Sequence, residues 1–147
     1  MAAKLIKGNM MDHMGVCNHF VICTYSTLRS ATGELVMMNG LAYEVSQKFP
    51  SAPKALGTLV KDQVGDCGFF YLMCNNKIGI FQIGIVPRNG LALNVASEST
   101  KKLAELAEAN PDKLYYLEAM WPKGQQFLCD GFLRMLPENV HVWVPDE

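Results

Sequence analysis

Phe20-Val21-Ile22-Cys23-Thr24-Tyr25 is a continuous β-prone run, and it restricts the possible folds more than any other stretch of the chain. A strand with one wet face alternates apolar and polar residues, so an uninterrupted run marks a strand covered on both sides. That cover must come from helices. One lies in Gly33 to Pro50, GELVMMNGLAYEVSQKFP, where Met37, Leu41, Val45 and Phe49, with Met38 and Ala42 beside them, form an i, i+4 stripe. Asn39-Gly40 marks the helix start, and Pro50 stops it because the residue before a proline avoids helical geometry. A helix start exposes unpaired N–H groups and carries partial positive charge, so a phosphate can bind there wherever the approach is open.

The rest of the chain repeats this alternation. Lys4 to Lys7 reads as a first strand closed by Gly8-Asn9, and a polar connection runs from Met11 to His19. Ser26 to Gly33 is a loop. Ser51-Ala52-Pro53 opens a second helix, with serine available as a cap and Leu56, Leu59, Val60 and Val64 on one face, before Gly65-Asp66 ends it. Phe69 to Cys74 and Ile78 to Ile83 form a hairpin around Asn75-Asn76-Lys77, and Pro87 to Leu93 is a loop. A long helix covers Asn94 to Ala109, with Leu103, Leu106 and Ala107 inward and Lys101, Lys102, Glu105 and Glu108 outward; Asn110-Pro111-Asp112 breaks it. Leu114 to Leu117 is a buried strand, Met120 to Gln126 a loop, and Phe127 to Leu136 a short helix with Leu128, Phe132, Met135 and Leu136 inward. Val140 to Val144 is the last strand. Strands alternating with helices, plus one hairpin, define an α/β class with a mixed sheet between two helical layers, in a single domain spanning 1–147.

Composition removes several functional classes. Half of the 147 residues are apolar, 18% are charged and the net charge is -1, with both signs interspersed, so no basic stripe for nucleic acid exists. No run approaches membrane-spanning length, and the first residues, Met1 to Gly8, are too short an apolar run for a secretion signal, so we expect a cytoplasmic protein without membrane contact. Cys17, Cys23, Cys67, Cys74 and Cys129 are odd in number and lack framework spacing, which suits free thiols. His13, Cys17 and His19 match no established zinc spacing, and we expect neither metal nor cofactor. No nucleophile elbow, P-loop or dinucleotide fingerprint occurs, and we assign no catalytic residue.

In order, nearly the whole chain resembles the macro domain family, the modules that bind ADP-ribose, and most closely the compact forms of bacteria and their viruses. The family's Gly-Asp pair after the first strand is matched by Gly8-Asn9, and its M-G-x-G-I-A helix start by Met37-Met38-Asn39-Gly40-Leu41-Ala42. Its K-x-F-P helix end is similar to Gln47-Lys48-Phe49-Pro50, its F-P-V-K strand to Phe81-Gln82-Ile83-Gly84, and its last strands to Tyr115-Tyr116-Leu117 and Asn139 to Trp143. The resemblance implies a three-layer α/β/α macro-like fold with a mixed central sheet of about six strands. It also implies a ligand cleft drawn from Asn9, Met10, Thr24, Tyr25, Ser26, Asn39, Gly40, Lys123, Gly124 and Phe127.

The departures fall on that cleft. Asn9 stands where the family has the aspartate that accepts the adenine amino group, and an asparagine accepts without charge. Tyr25 and Ser26 replace Asn-Gly at the distal ribose, and Met38 replaces the first glycine of M-G-x-G. The family's P-G-C-G-N-G-G-L loop becomes Met120-Trp121-Pro122-Lys123-Gly124-Gln125-Gln126-Phe127. Glycines let backbone N–H groups turn toward a diphosphate at positive φ, where other residues pay roughly 1 to 3 kcal/mol. One branch of the family uses a lysine and an aspartate for covalent chemistry, but Lys48 and Asp130 suit their helix ends for dipole reasons and receive no such role. The expectation is therefore a non-catalytic macro-like binding protein with a remodelled ADP-ribose cleft, acting on an altered nucleotide or through protein contact, as in a phage accessory protein that engages its host. Met38, Met120 and Trp121 are interface candidates, for a protein partner or a second copy, and the same side chains could instead pack internally. The alternative is an enzyme that binds ADP-ribose, either an ADP-ribosyl hydrolase or an ADP-ribose-1''-phosphate phosphatase.

Overall fold

The computed structural model describes residues 3–37, 40–64, 71–73, 78–84, 92–119 and 130–144. Within them lie β1 (Lys4–Lys7), a 3-10 turn (Met10–His13), β2 (His19–Tyr25), α1 (Gly40–Lys48), α2 (Ala52–Leu59) with a π-type turn (Val60–Val64), β3 (Tyr71–Met73), β4 (Ile78–Gly84), α3 (Leu93–Ala109), β5 (Tyr115–Glu118), α4 (Asp130–Met135) and β6 (Val140–Val144). The sheet order is β1-β6-β5-β2-β4-β3. Five strands run parallel, and β3 pairs antiparallel with β4 at one edge. The result is a three-layer α/β fold around a mixed sheet.

Strand alternation divides the core in two. Phe20 and Ile22 of β2, Ile78 and Ile80 of β4 and Tyr116 of β5 pack against Val45 of α1 and Leu56 of α2. Val21, Phe81, Tyr115 and Leu117 point the other way, onto Leu103 and Ala107 of α3 and Leu136 beyond α4. Val21 and Ile22 are both fully buried, which explains why β2 lacks polar alternation. α3 lies close on β4, where the Ser99 hydroxyl donates to the Gln82 carbonyl at 2.6 Å. Its exposed residues include Lys101, Lys102, Glu105 and Glu108, the face expected to be wet. No helix among the described residues is long and apolar enough to cross a membrane.

Several local expectations change. Met37 is buried but precedes α1, in a segment tied back by the Leu28–Leu35 bridge, so the helical stripe starts at Leu41. Ser51 has helical φ and ψ and makes no side-chain cap, because its backbone has already entered the turn that proline opens. On α4 it is Leu133 that is buried, while Met135 is 40% exposed. The connection after β1 is not wholly irregular: Met10 to His13 form a 3-10 turn, which Asn9 caps. The hairpin turn at Asn75-Asn76-Lys77, Gly65-Asp66, most of the Pro87 to Leu93 loop, Leu128, Cys67, Cys74 and Cys129 lie outside the described residues.

Candidate functional site

In an open parallel sheet, ligands bind beyond the carboxyl ends of the strands where neighbouring connections leave in opposite directions. Here that point lies between β5, whose chain continues to β6, and β2, whose chain crosses toward β4. β2 and β5 pair only as far as Val21 and Leu117. Beyond that the strands part, and Glu118 bridges the gap: the Cys23 N–H donates to its Oε1 at 2.9 Å, and the Cys23 thiol donates to its backbone carbonyl at 3.2 Å.

The same carboxyl reaches the start of α1. A Cβ placed on Gly40 would lie 3.7 Å from its Oε2, and the Leu41 N–H favours its charged form. Gly40 has φ +55, a geometry that favours glycine, so the helix begins on a residue able to turn into it. The first turn of α1 holds no acidic residue of its own. Glu118 supplies that charge from a distant strand. Burial raises its pKa from 4.5 to about 7; the Cys23 and Leu41 N–H groups oppose the rise, and the nearby negative charge of Glu44 adds to it.

Beside this carboxyl is a cavity of about 330 Å³. Gly8, Asn9 and Met10 form one wall, Gly40, Leu41 and Glu44 another, and Trp143 closes the side next to Glu118. Asn9 is engaged locally, its Oδ1 accepting the Met11 N–H at 3.0 Å. Trp143 is held by ring contacts at 5.0 Å with both His13 and Tyr116. The described lining carries two carboxylates and no lysine or arginine. Its chemistry therefore favours hydrogen-bond donors over additional anions.

Of the residues expected in a cleft, the structure gathers Asn9, Met10 and Gly40 at this cavity. Thr24 is buried near the end of β2, and its hydroxyl meets no partner among the described residues. Tyr25 packs against the core on the α3 side of the sheet, where burial raises its pKa, and Ser26 follows it, partly buried. Asn39, Lys123, Gly124 and Phe127 lie outside the described residues, as do Met38, Met120 and Trp121. Among the described residues no group of three His, Cys, Asp or Glu side chains could hold a metal ion.

Sequence reasoning missed Glu118. A carboxylate after a buried strand reads as the start of a solvated loop. The available signal was parity: Glu118 shares the face of Tyr116, which points toward α1, so a strand one residue longer would have aimed it at the helix start.

No family model matches the chain, and no curated protein does either. Solved structures do. The macrodomain of Thermus aquaticus DarG aligns with a TM-score of 0.71 and 16% identity over 99% of this chain and 98% of that one. The macrodomain of Mycobacterium tuberculosis DarG gives 0.70 and 12% over 98% of each. Thermosipho africanus DarTG, solved in complex with ADP-ribose, gives 0.67 and 14% over 97% of this chain and 42% of that longer chain. The protein has the macrodomain fold.

Proposed function

We propose that this protein is a non-catalytic binding module built on the macrodomain fold, with an ADP-ribose cleft remodelled for an altered nucleotide-like ligand. One observation carries the reading: the start of α1, where an anion would sit, is held by the chain's own Glu118. Bringing a diphosphate there places it against an ionised carboxylate, with Glu44 a short distance away, and no cation among the described lining residues offsets the repulsion. The losses of glycine read in the sequence at Met38 and across Met120 to Phe127 act in the same direction. Contact with a protein through Met38, Met120 and Trp121 would give such a module a second mode of action, and the compact viral forms that the sequence resembles suggest a phage protein engaging its host.

A hydrolase reading is favoured by the fold shared with the Thermosipho africanus protein, whose structure holds ADP-ribose. Two measurements separate the readings. Calorimetric titration with ADP-ribose at pH 8 should show no micromolar binding, and incubation with ADP-ribosylated protein and ADP-ribosylated DNA should release no ADP-ribose. Release of ADP-ribose from either substrate would assign the protein to the enzymes.

A further inference from the structure

We propose that Glu118 is a resident anion that competes with any anionic ligand for the start of α1, so that occupation of this cleft by an anion is coupled to uptake of one proton. The inference rests on the reading of a remodelled cleft and concerns how that cleft is regulated.

The geometry is that of an anion holder already filled. The Cys23 N–H of β2 donates to the carboxyl at 2.9 Å, the Leu41 N–H at the start of α1 also favours its charged form, and the helix dipole reinforces them. An incoming anion needs the Leu41 donor. It also gains by removing the negative charge already there, since two anions within a few ångströms repel by several kcal/mol in a partly dry site. Protonation does this: a neutral carboxyl is a weaker acceptor and carries no charge against the newcomer.

The groups facing Glu118 favour such a change. Glu44 approaches from α1 with like charge, and the Cys23 thiol on β2 donates to the Glu118 main chain. Trp143, its register partner on β6, carries no charge, and His13 stacks on that indole. Asn9 and Met10, across the cavity, are also uncharged. With burial the largest cause, the group titrates at about 7, so modest changes in pH alter its charge.

The test uses ADP-ribose as the probe, because its diphosphate is a diester that keeps the same charge between pH 6 and pH 8.5. Affinity should be measured by calorimetry on the whole chain across that range, in two buffers of different ionisation enthalpy. Wild type should bind in the low-affinity range, about tenfold more weakly at pH 8 than on its plateau below pH 7, with uptake of close to one proton near pH 8. Glu118→Gln should bind with pH-independent affinity and about tenfold more tightly than wild type at pH 8. Glu44→Gln, at an exposed position, should move the wild-type midpoint to lower pH, and it gives a second readout if the first variant does not fold. Equal wild-type affinity at pH 6 and pH 8 overturns the proposal. So does a Glu118→Gln protein no tighter than wild type at pH 8, or absence of binding by either protein at every pH. Turnover of an ADP-ribosylated substrate would instead remove the non-catalytic reading and leave the proton coupling standing.

Discussion

α1 and α3 both begin beyond the carboxyl edge of the sheet, on opposite faces, and their first turns are completed differently. α1 receives the carboxyl of Glu118, sent across from β5, against the Leu41 N–H. α3 starts from Ala92, whose extended backbone suits a cap but whose side chain cannot make one, and its first turn holds no acidic residue. Both ends carry the same dipole and the same surplus of N–H donors. Water can satisfy an open helix end, so a carboxyl sent across from β5 sets the start of α1 apart. The difference teaches that α1 is finished as an anion-holding site and α3 as an ordinary helix start.

The contrast can be broken most severely from behind α1. Gly57 of α2 packs on the segment leading to α1, and a Cβ there would collide with the Gly33 carbonyl and come 2.9 Å from the Leu35 N. Backbone cannot move aside as a side chain can, so Gly57→Ala should cost about 3 kcal/mol or more in urea denaturation. An unchanged midpoint would mean that this segment does not hold α1 in place.

The next largest effect concerns pH. Glu118 in the folded chain keeps its proton up to about 7, whereas an unfolded chain releases it near 4.5, so the folded state binds more protons across that window. Stability therefore falls as pH rises from 4.5 to 7, by on the order of 3 kcal/mol from this group. Glu118→Gln should remove that slope. Paired denaturation curves at pH 5 and pH 8 would show it, and parallel pH dependence in both proteins would contradict it.

At its far end α3 does depend on a remote residue. The Asn139 Nδ2 donates to the carbonyls of Ala107, Asn110 and Lys113 at 3.0, 3.2 and 3.0 Å. Asn139→Ala should cost about 2 kcal/mol without altering the pH response, since the carbonyls lose a partner that does not titrate. The smallest effect sharpens the opening contrast. Ala92→Asp gives α3 a local cap and should add about 1 kcal/mol relative to wild type, a gain that is the same at pH 6 and at pH 8. A gain that vanished across that interval would show that capping by any carboxylate titrates near neutrality, and the special status of Glu118 would be lost.

Much of this fold could be read from residue order. β1, β6 and α3 fall within a residue of their expected bounds, because each has a strong pattern and a proline, glycine or asparagine at its end. Met135 was misplaced because a six-residue helix turns too few times for periodicity to fix its inner face, and tertiary packing chose Leu133. Asn9, Met10 and Gly40, expected in a cleft from the family's motif order, line one cavity. Glu118 was not expected there, since its role comes from a contact between residues 95 positions apart, with Cys23. Pattern along one segment carries no information about such a meeting; register between strands does.

The claim that this carboxyl occupies the start of α1 is tested most directly by following the backbone amide resonances of Cys23 and Leu41 from pH 4 to pH 9. Both should shift with a single shared midpoint near 7, and both responses should disappear in Glu118→Gln. A midpoint near 4.5, or a Leu41 amide that ignores pH while Cys23 responds, would show that Glu118 leaves the helix start open.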